Sequence, residues 1–176
     1  MTIIVNIFAG PGAGKSTLAA GLFHALKLEH IHVEQVMEYA KDLVWEERQK
    51  TLLNQVYVFG KQQNRVHRLI GKVDVVVTDS PFLLSIFYGR EYGIYPESFY
   101  TCIKDIFQTY DNLNIFINRG THYQTEGRNQ TQEEAVMFDN KIRKWLEAEH
   151  ILYSSVDQNL IAPIVQMIKE RLKNGE

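Results

Sequence analysis

Residues 9–17 read AGPGAGKST, a spacing that brings three glycines, a lysine and two hydroxyls into one short loop. Glycine lets consecutive backbone N–H groups turn inward, and the concavity so formed binds anions. The helical residues that follow add the positive end of a helix dipole. In such a loop Lys15 reaches the β- and γ-phosphates of a nucleoside triphosphate, and the Ser16 hydroxyl ligates Mg²⁺. Gly10, Gly12, Ala13, Gly14, Lys15, Ser16 and Thr17 are therefore the expected binding site for ATP or GTP. The strict pattern G-x-x-x-x-G-K-[ST] expects glycine where Ala9 stands, the smallest departure a side chain allows.

A second reactive group sits further along, in KVDVVVTDSP (72–81). The apolar run places Asp79 at the carboxyl end of a buried strand, where a carboxylate holds Mg²⁺ or takes the proton of an attacking hydroxyl. The plainer role is helix capping, with Ser80 and Pro81 at the N-cap and first position of the next helix. Asp74 stands at the far end of the same run. Plain hydrolysis favours a second acid as water-activating base. Ser80 stands there instead, which favours transfer to an organic hydroxyl.

These groups need a frame, and the sequence supplies one. Apolar strand-like runs alternate with helical patterns, which predicts a single α/β domain over 1–176 with a parallel sheet. The expected strands are 3–8, 31–36, 72–79, 114–118 and 151–156. The expected helices are 17–28, about 39–69 with a break near Thr51 or Gly60, one after Pro81, 97–110, one from the capping box Thr131-Gln132-Glu133-Glu134, and 162–173. Phe138, Ile142, Trp145 and Leu146 form an apolar stripe on the helix after the capping box. Ligands in such sheets bind beyond the carboxyl ends of the strands, so chemistry is expected just after residues 8, 36, 79, 118 and 156.

Composition narrows the classes. The 176-residue chain is 45% apolar and 23% charged, with net charge −2 and pI about 6.3. That balance excludes a global basic field for nucleic acid, although a local groove remains open. No apolar stretch approaches the ~20 residues needed to span a bilayer. One cysteine, Cys102, excludes a disulfide framework and implies a reducing, cytoplasmic setting. His32, His67 and His122 form no zinc-type spacing with Cys102.

With AGPGAGKST, DVVVTDSP and NRGTHYQTEGRNQTQEE (118–134) in view, the chain resembles P-loop kinases of the nucleoside and nucleotide kinase group over nearly its whole length. The resemblance implies phosphoryl transfer from ATP–Mg²⁺, an acid after the third strand and an arginine-bearing lid, here about 119–131. It makes Arg119 and Arg128 the clamp on the transferred phosphoryl oxygens; read plainly, they are a surface ion pair and a solvated loop residue.

EQVMEYAKDLVWEERQK (34–50) and LLNQVYVFGKQQNRVHRL (52–69) resemble, more narrowly, small phage-encoded P-loop kinases of ribosylnicotinamide-kinase type. Some of these act on 5-hydroxymethyluracil in phage DNA. That likeness implies host cytoplasm as the setting. It also implies that Glu38, Lys41, Gln55, and Gln62 or Gln63 approach a nucleoside, a nucleotide or a modified base in DNA.

The residues themselves support part of this. Glu38 directly follows the second strand, and Gln55, Phe59, Gln62 and Arg65 or Val66 share a helical face. A glutamine amide offers a donor and an acceptor to a pyrimidine edge, and Tyr57, Phe59 or Tyr88 could stack on the ring. Ordinary helix surface for the glutamines and core packing for the aromatics, Tyr39 and Trp45 included, remain the simpler roles. Lys41, Lys61, Arg65, Arg68 and Arg90 would line a groove for a DNA acceptor or form a solvated face. The alternative to a kinase is an NTP-driven ATPase or switch without an acceptor.

Overall fold

The computed structural model describes residues 2–92, 95–120 and 131–175. Five strands form one sheet in the order β2-β3-β1-β4-β5: β1 (Ile3–Phe8), β2 (Val33–Val36), β3 (Val75–Thr78), β4 (Asp111–Asn118) and β5 (Ser154–Asp157). Every neighbouring pair is parallel. β1 is central and buried on both faces, which is why its sequence is an almost unbroken apolar run. Strand order reverses beside it, and the crevice beyond the carboxyl ends of β1 and β3 is the expected ligand position.

Two apolar layers cover the sheet. On one face α1 (Lys15–Leu28) and α8 (Ala162–Asn174) bury Leu18, Leu22, Leu26, Ile164 and Ile168 against Val5, Ile7 and Ile117. On the other, α4 (Gln55–His67), α5 (Leu84–Tyr92), α6 (Glu97–Gln108) and α7 (Gln132–Ala148) pack Val66, Ile86, Ile103 and Ile142 over Ile4, Phe8 and Phe116.

The one polar residue inside β1 is Asn6, which is 1% exposed. Its Nδ2 donates to Asn112 Oδ1 at 2.9 Å and to Asn114 Oδ1 at 3.0 Å, both on β4. β4 therefore starts three residues earlier than its apolar core suggests, because Asp111 and Asn112 pair with Ile3 and Ile4.

The long helical region after β2 divides into three: α2 (Tyr39–Trp45), α3 (Gln49–Leu52) and α4. Glu47 enters the left-handed region at φ 54°, ending α2, and Asn54 caps α4 by accepting the Tyr57 N–H at 3.2 Å. Gly60 lies within an unbroken, exposed turn of α4. Ser80 and Pro81 do not start the next helix. Leu84 and Ser85 bond back to the carbonyls of Pro81 and Phe82 at 2.9 and 3.0 Å, so a tight turn precedes α5. The capping box of α7 forms as expected: Thr131 Oγ1 accepts the Glu134 N–H and Glu134 accepts the Thr131 N–H. Among the described residues, no helix is long and apolar enough to cross a membrane.

At the end of α7, Glu149 ties three helices together. Its carboxylate meets Lys104 of α6 at 2.6 Å and Arg90 of α5 at 3.1 Å. Burial pushes its pKa up, but the hydrogen bond and charge of Lys104, with Arg90, hold it below the usual carboxylate range. A group depressed in the folded state stabilises above its unfolded pKa, and that contribution fades as pH falls through the folded value. Glu149→Gln should therefore lower the melting temperature by a few degrees at pH 7. In strong acid, where Glu149 is protonated in both states, thermal melts should show little difference between the two proteins.

Candidate functional site

The glycine-rich loop expected to bind phosphate joins β1 to α1, and its shape follows from two close approaches. Gly14, the N-cap of α1, has φ 89°, and a Cβ there would meet Gln158 Nε2 at 2.8 Å. A Cβ on Gly10 would meet Asp139 Oδ1 at 2.8 Å and the Ala135 carbonyl at 3.0 Å, both on α7. Ala9, by contrast, is buried in the core, where a methyl group packs without cost to the loop. Lys15 Nζ lies across the loop and donates to the carbonyls of Ala9 at 2.9 Å and Gly10 at 3.0 Å. Burial holds its pKa below the ordinary lysine value, opposed by the carboxylates of Glu38, Asp79 and Asp139, in falling order.

Those three acids come from three elements. Asp79 follows β3, is 2% exposed, and its Oδ1 has no hydrogen-bond partner among the described residues. An unpaired buried carboxylate oxygen near the first residues of α1 fits a hard divalent cation. Asp79 with the Ser16 hydroxyl would hold Mg²⁺, the usual arrangement being one or two carboxylates plus substrate phosphates. Glu38 is the N-cap of α2, makes no side-chain cap, and lines the neighbouring pocket. Burial raises its pKa, Lys15 lowers it and Asp79 raises it further, with a net upward displacement.

Asp139 is the acid that sequence reasoning missed. Its Oδ1 accepts the Gly10 N–H at 2.5 Å and its Oδ2 accepts Arg119 Nε at 2.8 Å. Arg119 Nη2 in turn donates to the Pro11 carbonyl at 2.8 Å. Arg119 thus stands at the end of β4, buried against the anion loop, in place of the surface ion pair considered from sequence. The available signal was a lone carboxylate three residues before Ile142, inside the apolar stripe of α7. Gln158, after β5, was also missed; its Oε1 accepts the Gly120 N–H at 3.1 Å. Arg128 and most of the lid segment lie outside the described residues.

Beside the loop opens a pocket of about 550 Å³, within the roughly 300–1,000 Å³ typical of small-molecule sites. Pro11, Glu38, Ser80 and Pro81 border it on the loop side, and Trp45, Phe82 and Tyr88 supply aromatic surface. Four of the six expected acceptor residues line it: Glu38, Lys41, Gln55 and Gln62. Gln55 Nε2 donates to the Leu52 carbonyl at 3.1 Å, while its Oε1 accepts no hydrogen bond among the described residues.

The other two do not reach it. Phe59 packs edge-on against Phe82 and Phe99 as part of the core, with ring centroids 5.8 and 6.1 Å away. Gln63, one step around α4, turns away from the pocket and donates to the Tyr110 hydroxyl at 3.0 Å. Tyr57 also faces away, its hydroxyl 3.2 Å from that of Tyr39. The basic groove loses members in the same way: Arg65 pairs with Asp42 at 2.6 Å, and Arg90 pairs with Glu97 at 2.7 Å as well as with Glu149.

A five-stranded parallel sheet with a glycine-rich loop after β1 and an acid after β3 defines the P-loop kinase fold. A family model described as an AAA domain matches residues 4–161, and the chain belongs to that family. The fold is similar to that of deoxyadenosine kinase from M. mycoides, solved with the products dCMP and a flexible dCDP bound. That likeness has a TM-score of 0.59, covers 97% of this chain and 99% of the other, and comes with 14% sequence identity, so it is one of fold. No curated protein matches the chain.

Proposed function

We propose that this protein is an ATP- and Mg²⁺-dependent phosphotransferase that passes the γ-phosphoryl group to a hydroxyl of a nucleoside- or nucleotide-type acceptor. The observation that carries this reading is the pocket of about 550 Å³ directly beside the anion loop. Hydrolysis needs room for one water. A chamber walled by aromatic, amide and carboxyl groups suits a bound organic acceptor.

In this reading the N–H groups of residues 12–17 and the Lys15 ammonium hold the triphosphate. Ser16 and Asp79 would hold Mg²⁺, which when bound would offset phosphate charge. The acceptor hydroxyl oxygen attacks the γ-phosphorus, the bond to the β-phosphate oxygen breaks, and ADP leaves. The hydroxyl proton passes to the Glu38 carboxylate, whose raised pKa suits a general base. Arg119, and Arg128 from the lid, compensate charge on the transferred group. Gln55 and the aromatic wall of Trp45, Phe82 and Tyr88 receive the acceptor's ring.

Within that class the acceptor is a nucleoside, a (deoxy)nucleoside monophosphate or 5-hydroxymethyluracil in DNA. A pocket of small-molecule size favours the small acceptors. Labelled γ-phosphate transfer from ATP–Mg²⁺ tests the reading. The panel holds nucleosides, nucleoside monophosphates, nicotinamide riboside, and DNA with thymine or 5-hydroxymethyluracil. Label is expected in a small acceptor. Label confined to hydroxymethyluracil DNA would keep the reaction and move the acceptor into a polymer. Label only in free phosphate, at a rate no acceptor alters, would replace the kinase by an ATPase or switch.

A further inference from the structure

Gln62 faces the acceptor pocket and is 3% exposed, yet both ends of its amide are engaged within the protein. Its Oε1 accepts the Tyr39 N–H at 2.9 Å, and its Nε2 lies 3.4 Å from Thr78 Oγ1, to which it donates. Thr78 Oγ1 also accepts the Ser80 N–H at 3.2 Å. Tyr39 directly follows Glu38, and Thr78 directly precedes Asp79. One side chain on α4 therefore holds the backbone N–H next to Glu38 and the Thr78 hydroxyl next to Asp79, two of the three acids around Lys15.

The local chemistry explains why α2 accepts this help. The first N–H groups of a helix lack intrahelical partners, and an N-cap side chain commonly supplies one. Glu38 occupies the N-cap of α2 but its carboxylate makes no cap hydrogen bond. Gln62 instead takes the first N–H of that helix from a different helix, leaving the Glu38 carboxylate to the pocket. One N–H and one lone pair of the amide remain, but a side chain 3% exposed presents little of either to a pyrimidine edge.

We infer that Gln62 is a positioning residue for the two acids, holding Glu38 and Asp79 in register with Lys15, and not a reader of the acceptor's ring. The inference rests on the phosphotransferase reading for its kinetic consequences and on geometry alone for its structural one. A misplacement of about 1 Å at a reacting group costs about 10²-fold in rate. Gln62→Met, similar in length and without hydrogen bonds, should lower kcat about 10- to 100-fold. The acceptor KM and the ranking of acceptors should stay as in the wild type. Thr78→Val should reproduce the direction of the effect, since it removes the partner of Nε2 outside the pocket lining.

The readout that separates positioning from mere stability is the titration of Glu38. Its carboxyl is faced by Lys15, Asp79, Lys41 and Asp42. Carbon-13 NMR of labelled glutamate, with Glu38→Gln to assign the signal, follows that carboxyl in the free protein. In Gln62→Met its midpoint should fall toward the ordinary glutamate value as the side chain gains solvent, with the acid limb of kcat moving to lower pH. If Gln62→Met does not fold, Thr78→Val carries the same titration and kinetics. A changed acceptor ranking or KM, with kcat and the Glu38 midpoint untouched, would overturn the inference. Should the wild type transfer phosphate to no acceptor, the functional reading fails, while the NMR midpoint still decides the positioning role.

Discussion

Lys15→Ala is expected to abolish measurable transfer while leaving the fold intact. The Lys15 ammonium lies across the loop after β1, reaching the Ala9 and Gly10 carbonyls. In the proposed reaction it moves with the phosphoryl group and neutralises charge that grows in the transition state. Removing one preorganised donor of that kind costs about 10²–10³-fold in kcat. The loss of a charge bridging two phosphates should reach the upper end. The structural cost should be small, because burial already opposes the charged form of Lys15. Circular dichroism and thermal melts should match the wild type while single-turnover transfer disappears. Transfer at the wild-type rate would sink the assignment of the loop.

The second large effect is expected at Asp139, through the fold. The Asp139 and Arg119 side chains are 10% and 8% exposed, and the carboxylate also receives the Gly10 N–H. Asp139→Ala removes the acceptor of Arg119 Nε and of the Gly10 N–H in a buried setting. Breaking one partner of a buried pair typically costs about 3–5 kcal/mol. For a domain of this size each kcal/mol moves the melting temperature by about 2–4 °C, so a fall on the order of 10 °C is expected. The anion loop loses one anchor as well, so ATP affinity should fall beyond what reduced stability explains. Differential scanning calorimetry with and without ATP–Mg²⁺ measures both, and an unchanged melting temperature would refute the clamp.

The contrast between these two residues shows what a sequence makes legible. Lys15 and Asp79 announce themselves locally: one by a glycine spacing, the other by four strand-forming residues that end on an acid. The sheet was legible for the same reason, since buried parallel strands write themselves as apolar runs. Asp139 was not, because its partners Gly10 and Arg119 lie 129 and 20 residues away. The face shared by Gln55, Phe59 and Gln62 was drawn with the right period. Which of its members met a pocket and which met Phe82 depended on where α2, α5 and α6 arrive. No pattern along α4 carries that information. Gln63 differs from Gln62 by one step around the helix, and that step takes its amide to Tyr110.

The register of β1 has a consequence for how the chain is made. Ile3 pairs with Val75 on one side and with Asp111 on the other, so the first strand leaves the ribosome long before either neighbour exists. Parallel pairing across such separations is slow, and an unpaired apolar strand is an aggregation hazard throughout the wait. Asn6 stands in the middle of Ile3–Phe8 and interrupts that segment with an amide. An amide within the run lowers the apolar drive to self-association while the strand is unpaired. Once β4 arrives, Asn112 and Asn114 engage the amide, and the protection built into the strand becomes part of its pairing code.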